Sequence, residues 1–275
     1  MGNRRVKFTL SELMIYNASL EIKDGDVVVM GQGLPMAACP LAKAFHAPNA
    51  ILLTEAGLVD IAPYRTPLHI ADPTCTRGYS YSCDLIDVFT TILHRGFVDV
   101  CFLGVGQIDK YGNLNSTVIG DYFQFKMRMM GAGGAPDFAL YAKKVVLTMR
   151  GGKFVEKLDY FTTPGWLEGG DSKKQKGLPD TGPEVLISTK AVFHFPKPER
   201  ELTLVSVHPG VSIEEVEKDI PWKLKKAPQI KTTPVPPPEV IDFIRNFDPA
   251  SSAGRKLLIS LYAQAMLKKL QQNAK

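Results

Sequence analysis

Asp26-Val27-Val28-Val29-Met30-Gly31-Gln32-Gly33-Leu34-Pro35 reads as a buried strand, a glycine turn and the opening of a helix. Four consecutive apolar residues after Asp26 leave no polar face, the pattern of a strand covered on both sides. Gly31 and Gly33 end that strand, and Pro35 suits a first helical turn because its missing N–H would be unpaired there anyway. A helix rich in small residues is expected over 35–45, and a second strand over 50–54. Residues 82–96 carry Leu85, Ile86, Val88, Phe89, Ile92 and Leu93 at helical spacing and stop at Gly96. Further strands are expected at 98–103 and 144–149. Strands separated by helices predict an α/β fold built on an open, mainly parallel sheet flanked by helices. Ligands of such sheets sit beyond the carboxyl ends of the strands.

The chain of 275 residues, 45% hydrophobic and 22% charged, is long enough for a large core, and one domain is expected over 1–275. Its net charge of +5 is scattered, with a local concentration at Lys223, Lys225 and Lys226. That distribution predicts a solvated face and no nucleic-acid partner. No apolar run approaches the roughly 20 residues of a membrane helix, so no membrane partner is expected. The start, Met1-Gly2-Asn3-Arg4-Arg5, has no apolar leader core, and a cytoplasmic protein is expected. Cys39, Cys75, Cys83 and Cys101 lack the paired spacing of zinc sites and read as reduced structural thiols. The five histidines are dispersed; His46, His94 and His208 read as surface or cap residues, and no metal site is expected. Residues 165–182 read as an exposed loop. The proline-rich stretch at 227–238 reads as an extended arm able to reach a partner subunit. A C-terminal helix at 252–272 presents Leu257, Leu258, Leu261, Ala265 and Leu270 as a docking face.

Glu55 is the chain's most informative charged residue. It closes the strand expected over 50–54 and is followed at once by Ala56 and Gly57. A carboxylate in that position has little water to stabilise it, so it is either paired or chemically employed. Gly31 and Gly33 could cradle a phosphate, but they lack the third glycine of a dinucleotide fingerprint and the Gly-Lys-Ser/Thr of a P-loop. Gly131-Ala132-Gly133-Gly134-Ala135-Pro136-Asp137 is more unusual, because Pro136 opens a helix whose free amides could stabilise an oxyanion; close backbone packing is the simpler use.

Several of these pieces, in order, resemble one family. They are Leu53-Thr54-Glu55-Ala56-Gly57, Ile70-Ala71-Asp72-Pro73, Asp99-Val100-Cys101-Phe102-Leu103-Gly104, the run from Gln107 to Thr117, and Gly131 to Asp137. Together they are similar to the β subunit of class I CoA-transferases, and within that family to the β subunits of the glutaconate CoA-transferase group. The resemblance covers about residues 10 to 210 and leaves out the proline stretch and the last helix. It implies a fold shared in outline with sugar-phosphate isomerases. It places the family's catalytic glutamate on Glu55, which would carry CoA as a glutamyl-CoA thioester, with Gly133 and Gly134 donating to the oxyanion. It also implies a heteromer in which an α subunit completes the site, coenzyme A thioesters and carboxylic acids as substrates, and no tightly bound cofactor.

Covalent capture suits the residue, since exchange of CoA between acids without loss to water needs a nucleophile in a site that excludes water. Gln107 and Asn115 are candidates for polar support of the carboxylate, with turn and strand-end capping as their alternative use. Arg65 and Arg77 could bind the distal carboxylate of a dicarboxylic acyl group or form surface ion pairs. An acyl-CoA hydrolase, a ring-opening or decarboxylating enzyme, or a non-catalytic subunit would also fit the fold.

Overall fold

The computed structural model describes residues 7–247. The chain begins with α1 (Leu10–Ser19), β1 (Val27–Val29), α2 (Pro35–Phe45), β2 (Ile51–Leu53), β3 (Leu58–Val59) and β4 (Tyr81–Ser82). A short α3 (Leu85–Asp87) passes directly into a π-helical turn, Val88–Leu93. β5 (Val100–Gly104) leads into β6 (Gln107–Ile108), β7 (Leu114–Asn115), β8 (Val118–Gly120), β9 (Phe125–Arg128) and α4 (Ala135–Tyr141). Then come β10 (Lys144–Met149), β11 (Lys153–Phe154), α5 (Ser172–Gln175), β12 (Pro183–Ser188), β13 (Ala191–His194) and β14 (Thr203–Val207). α6 (Ile213–Glu217), β15 (Lys225–Thr232) and α7 (Pro238–Phe247) complete it. The helix expected at 252–272 lies outside the described residues.

Ten strands form one sheet in the order β15-β14-β13-β12-β10-β5-β1-β2-β3-β4. Its centre, from β12 to β2, is parallel throughout. The flanks are antiparallel except where β15 runs parallel to β14. The central strands are apolar at successive positions because both of their faces are covered. Successive side chains feed opposite layers. Leu52 packs with Met14 of α1, Met36 of α2 and Ile244 of α7, whereas Leu53 packs with Val88, Leu93 and Phe138 on the other face. Among the described residues no helix is long and apolar enough to cross a membrane.

Three expectations are corrected. The helix expected over 82–96 starts only at Leu85, where Asp84 caps it by accepting from the Asp87 N–H, and it widens into the π turn before Gly96. The proline-rich stretch at 227–238 is no free arm: β15 forms the sheet edge, and Pro238 opens α7. Between Lys226, opposite Leu204, and Lys231, opposite Ser206, the strand bulges, which places Pro228 where no ladder N–H is required. The following residues pack on their own chain, since Asn17 Nδ2 donates to the Pro234 carbonyl and buried Thr233 contacts buried His208, which is therefore no surface residue.

The third correction concerns 165–182, which is anchored in the core by Trp166, only 1% exposed. The indole Nε1 donates to the Pro183 carbonyl at 2.6 Å, and the Arg200 guanidinium lies 3.8 Å from the ring centroid. Lys173, equally buried, donates to the Thr181 carbonyl beside the same ring. Burial pushes its ammonium down from the ordinary 10.5 to about 8, with Asp180 opposing and Arg200 reinforcing the shift. Between those two values the unfolded chain holds more protons than the folded one, so stability rises with pH through that window. Urea titrations should show the wild type gaining about 2 kcal/mol relative to Lys173→Met between pH 7 and 9.5. A pH-independent difference would show that the folded ammonium titrates as it does in water.

Candidate active site

β2 ends at Leu53, Thr54 is buried, and half-buried Glu55 sits in the turn that follows. The Thr54 N–H donates to the Leu58 carbonyl and the Gly57 N–H to the Thr54 carbonyl, both at 3.0 Å. Gly57 has φ of +96°, and a Cβ there would collide with the Cys83 carbonyl, so the turn requires glycine. Parallel pairing of β1 with β2 sets Val29 opposite Leu53, and the Met30 N–H donates to the Leu53 carbonyl at 2.9 Å. Glu55, the Gly31 to Gly33 turn and Gly104 at the end of β5 therefore share one carboxyl edge of the sheet.

The second half of the site arrives from 79 residues away: the Gly134 N–H donates to Glu55 Oε1 at 3.1 Å. Gly134 immediately precedes α4 and is buried, with Phe89 of the π turn on one side and Glu55 on the other. Gly133, at φ of +51°, is exposed beside it. The loop is held by a reciprocal pair, the Gly131 N–H donating to the Ser116 carbonyl and the Ser116 hydroxyl to the Gly131 carbonyl, each at 2.8 Å. The sequence marked neither Ser116 nor Phe89 as a site residue, because each acts through a partner remote in the chain.

Gln107 and Asn115 stand elsewhere. They face each other across β6 and β7, both buried, with Asn115 Nδ2 donating to Gln107 Oε1 at 2.7 Å. Gln107 Nε2 donates to Asp159, and Asn115 Oδ1 accepts from the Thr117 and Val118 N–H groups. Their polar atoms brace the excursion that carries the glycine loop and make no hydrogen bond to Glu55. Gly31 and Gly33 likewise make none. Arg65 turns to Asp72 at 3.7 Å and to the Thr66 carbonyl, and Arg77 lies over the Tyr64 ring. Burial works to raise the Asp72 carboxyl, but donation from Leu68 and Thr74 and the charge of Arg65 outweigh it and hold the group below the usual range.

The thiols do not compete as nucleophiles. Burial raises Cys39 and Cys101 far above the usual thiol range and Cys75 to about 11. Cys83, beside the Glu55 turn, is raised by burial and by Asp87 and Asp84. Protonated thiols attack acyl groups poorly. Among the described residues no group of three or more His, Cys, Asp and Glu side chains could hold a metal ion. The chemistry on offer at the sheet edge is that of a half-buried carboxylate with a fixed backbone donor on one oxygen.

The sequence profile described as Coenzyme A transferase matches residues 12–219, which include Glu55, the glycine loop and every strand through β14. The chain belongs to the coenzyme A transferase family. One of the two subunits of 3-oxoadipate CoA-transferase from Pseudomonas knackmussii is 35% identical over 90% of this chain and 95% of its own length. The corresponding component of glutaconate CoA-transferase from Acidaminococcus fermentans is 31% identical over 89% of this chain and 94% of its own. The crystal structure of glutaconate coenzyme A-transferase from the same organism matches with a TM-score of 0.83 at 32% identity, covering 89% of this chain and 96% of that chain. This CoA-transferase thus has the α/β architecture expected from its sequence.

Proposed function

We propose that this CoA-transferase is the β subunit of a heteromeric acyl-CoA:carboxylate CoA-transferase and that Glu55 is its nucleophile. The observation that carries the reading is the strand-end carboxylate held at 3.1 Å by the Gly134 N–H, half-buried and free of any cationic partner among the described residues. A Glu55 oxygen attacks the thioester carbonyl carbon, the carbon–sulfur bond breaks, and CoA leaves as thiolate from a mixed anhydride. The thiolate then attacks the glutamyl carbonyl, expels the donor acid as carboxylate and leaves CoA on Glu55. An acceptor carboxylate runs the two steps in reverse, so no bond energy is lost to water. The Gly134 N–H is already beside the reacting oxygen, where the tetrahedral oxyanion develops, and Gly133 lies next to it.

The names of the two relatives support a dicarboxylic acyl group, since 3-oxoadipate and glutaconate are both dicarboxylates. Both relatives are named as one subunit of a larger enzyme, which supports an α partner that completes the site over Glu55. Assayed with that partner, a dicarboxylyl-CoA donor and isotopically labelled acetate, the enzyme should yield labelled acetyl-CoA with little free CoA. The chain alone should be folded and inactive. Free CoA released in step with donor loss, without labelled acetyl-CoA, would replace transfer by hydrolysis.

A further inference from the structure

Phe89 is held by an unusual piece of backbone. In the π turn the His94 N–H donates to the Phe89 carbonyl, five residues back, at 2.8 Å. The Thr90 and Thr91 hydroxyls donate to the Ile86 and Asp87 carbonyls, four residues back, at 2.8 and 2.5 Å. These side-chain bonds compete with the α-helical ladder and help the wider turn replace it. A π turn inserts a residue and re-aims the side chains around it, and such turns recur at functional sites.

Phe89 is the side chain so aimed. Its ring lies 5.1 Å, centroid to centroid, from Phe138 of α4 and presses on Gly134, where a Cβ would come within 2.8 Å of Phe89 Cε1. The same Cβ would lie 3.0 Å from Glu55 Oε1. Ring, glycine backbone and carboxylate are therefore stacked in a row without slack. At the far end of the turn His94 pairs with Asp137 at 3.1 Å and packs on Tyr141, ring centroids 4.3 Å apart. The turn and α4 are thus fastened together on both sides of the row.

We propose that Phe89 is a positioning residue for CoA transfer: its ring blocks Gly134 from retreating and keeps the Gly134 N–H on the reacting carboxylate. The proposal rests on Glu55 being the nucleophile. It predicts that loss of the ring shows first in catalytic geometry, because a donor displaced by about 1 Å can lower a rate a hundredfold.

The test uses the enzyme assembled with its α partner and compares Phe89→Ala, Phe89→Tyr and Leu147→Ala, the last truncating a buried side chain of β10. Phe89→Ala should lower kcat by about 10- to 100-fold with KM for the acyl-CoA within about twofold, and speed amide exchange in the Gly131–Asp137 segment. Phe89→Tyr should restore both, and Leu147→Ala should lower the melting temperature while keeping kcat. Unchanged exchange in Phe89→Ala, or a kcat loss no larger than that of Leu147→Ala, overturns the proposal. If wild-type enzyme carries no CoA on Glu55 while Phe89→Ala still frees the loop, the nucleophile assignment fails and the packing role stands.

Discussion

Glu55→Gln will lower CoA transfer by about 10⁴-fold or more and leave the fold intact. Glutamine is nearly isosteric with glutamate, and its carbonyl oxygen can still accept the Gly134 N–H now 3.1 Å from Glu55 Oε1. The side chain is half-buried in a turn built from backbone hydrogen bonds, so the melting temperature should move by no more than a degree or so. What the amide lacks is an anionic oxygen able to open a thioester. A non-catalytic role for Glu55 predicts the reverse, with transfer preserved. The comparison must follow formation of the new acyl-CoA, because slow release of free CoA would report hydrolysis by water in the same site.

Gly134→Ala should be nearly as damaging for a different reason. Its Cβ would lie 2.8 Å from the Phe89 ring and 3.0 Å from Glu55 Oε1, both inside van der Waals contact. The loop cannot yield easily, since Gly131 is bonded both ways to Ser116 and Phe138 is buried behind it. The added methyl displaces the N–H from the carboxylate, and loss of one such donor costs about 10²- to 10³-fold in kcat. Steady-state kinetics should show the effect in kcat with KM for the acyl-CoA little changed. Gly133→Ala is the milder companion: at φ of +51° it strains the backbone, but a Cβ there only reaches Glu55 Oε1 at 4.0 Å. Equal losses in the two variants would mean that the loop acts through flexibility and not through the Gly134 N–H.

The parallel centre of the sheet was legible because its strands are apolar at successive positions and bracketed by glycine or proline. α2 and β10 run over the residues expected, 35–45 and 144–149. The antiparallel flank was not read from the sequence: β13 is four residues long, and Ala191-Val192-Phe193 shows no alternation. Two helices carried a local signature that went unused. Thr9 with Glu12 and Ser212 with Glu215 are reciprocal capping boxes that open α1 and α6. The position of Glu55 at a strand end was legible from one segment. Its contact with Gly134 spans 79 residues and depends on an excursion braced by Gln107, Asn115 and Ser116, so no local pattern could reveal it. Phe89 was read as one more apolar position of a helix, because the π turn leaves only Thr90-Thr91 as its trace.

The most direct measurement is chemical. The enzyme assembled with its α partner is incubated with a dicarboxylyl-CoA, reduced with borohydride, and digested for mass spectrometry. A glutamyl-CoA thioester on Glu55 predicts that this residue alone is converted to the alcohol, and only when acyl-CoA is present. Turnover of acyl-CoA with Glu55 unmodified, or reduction at another residue, would contradict the account.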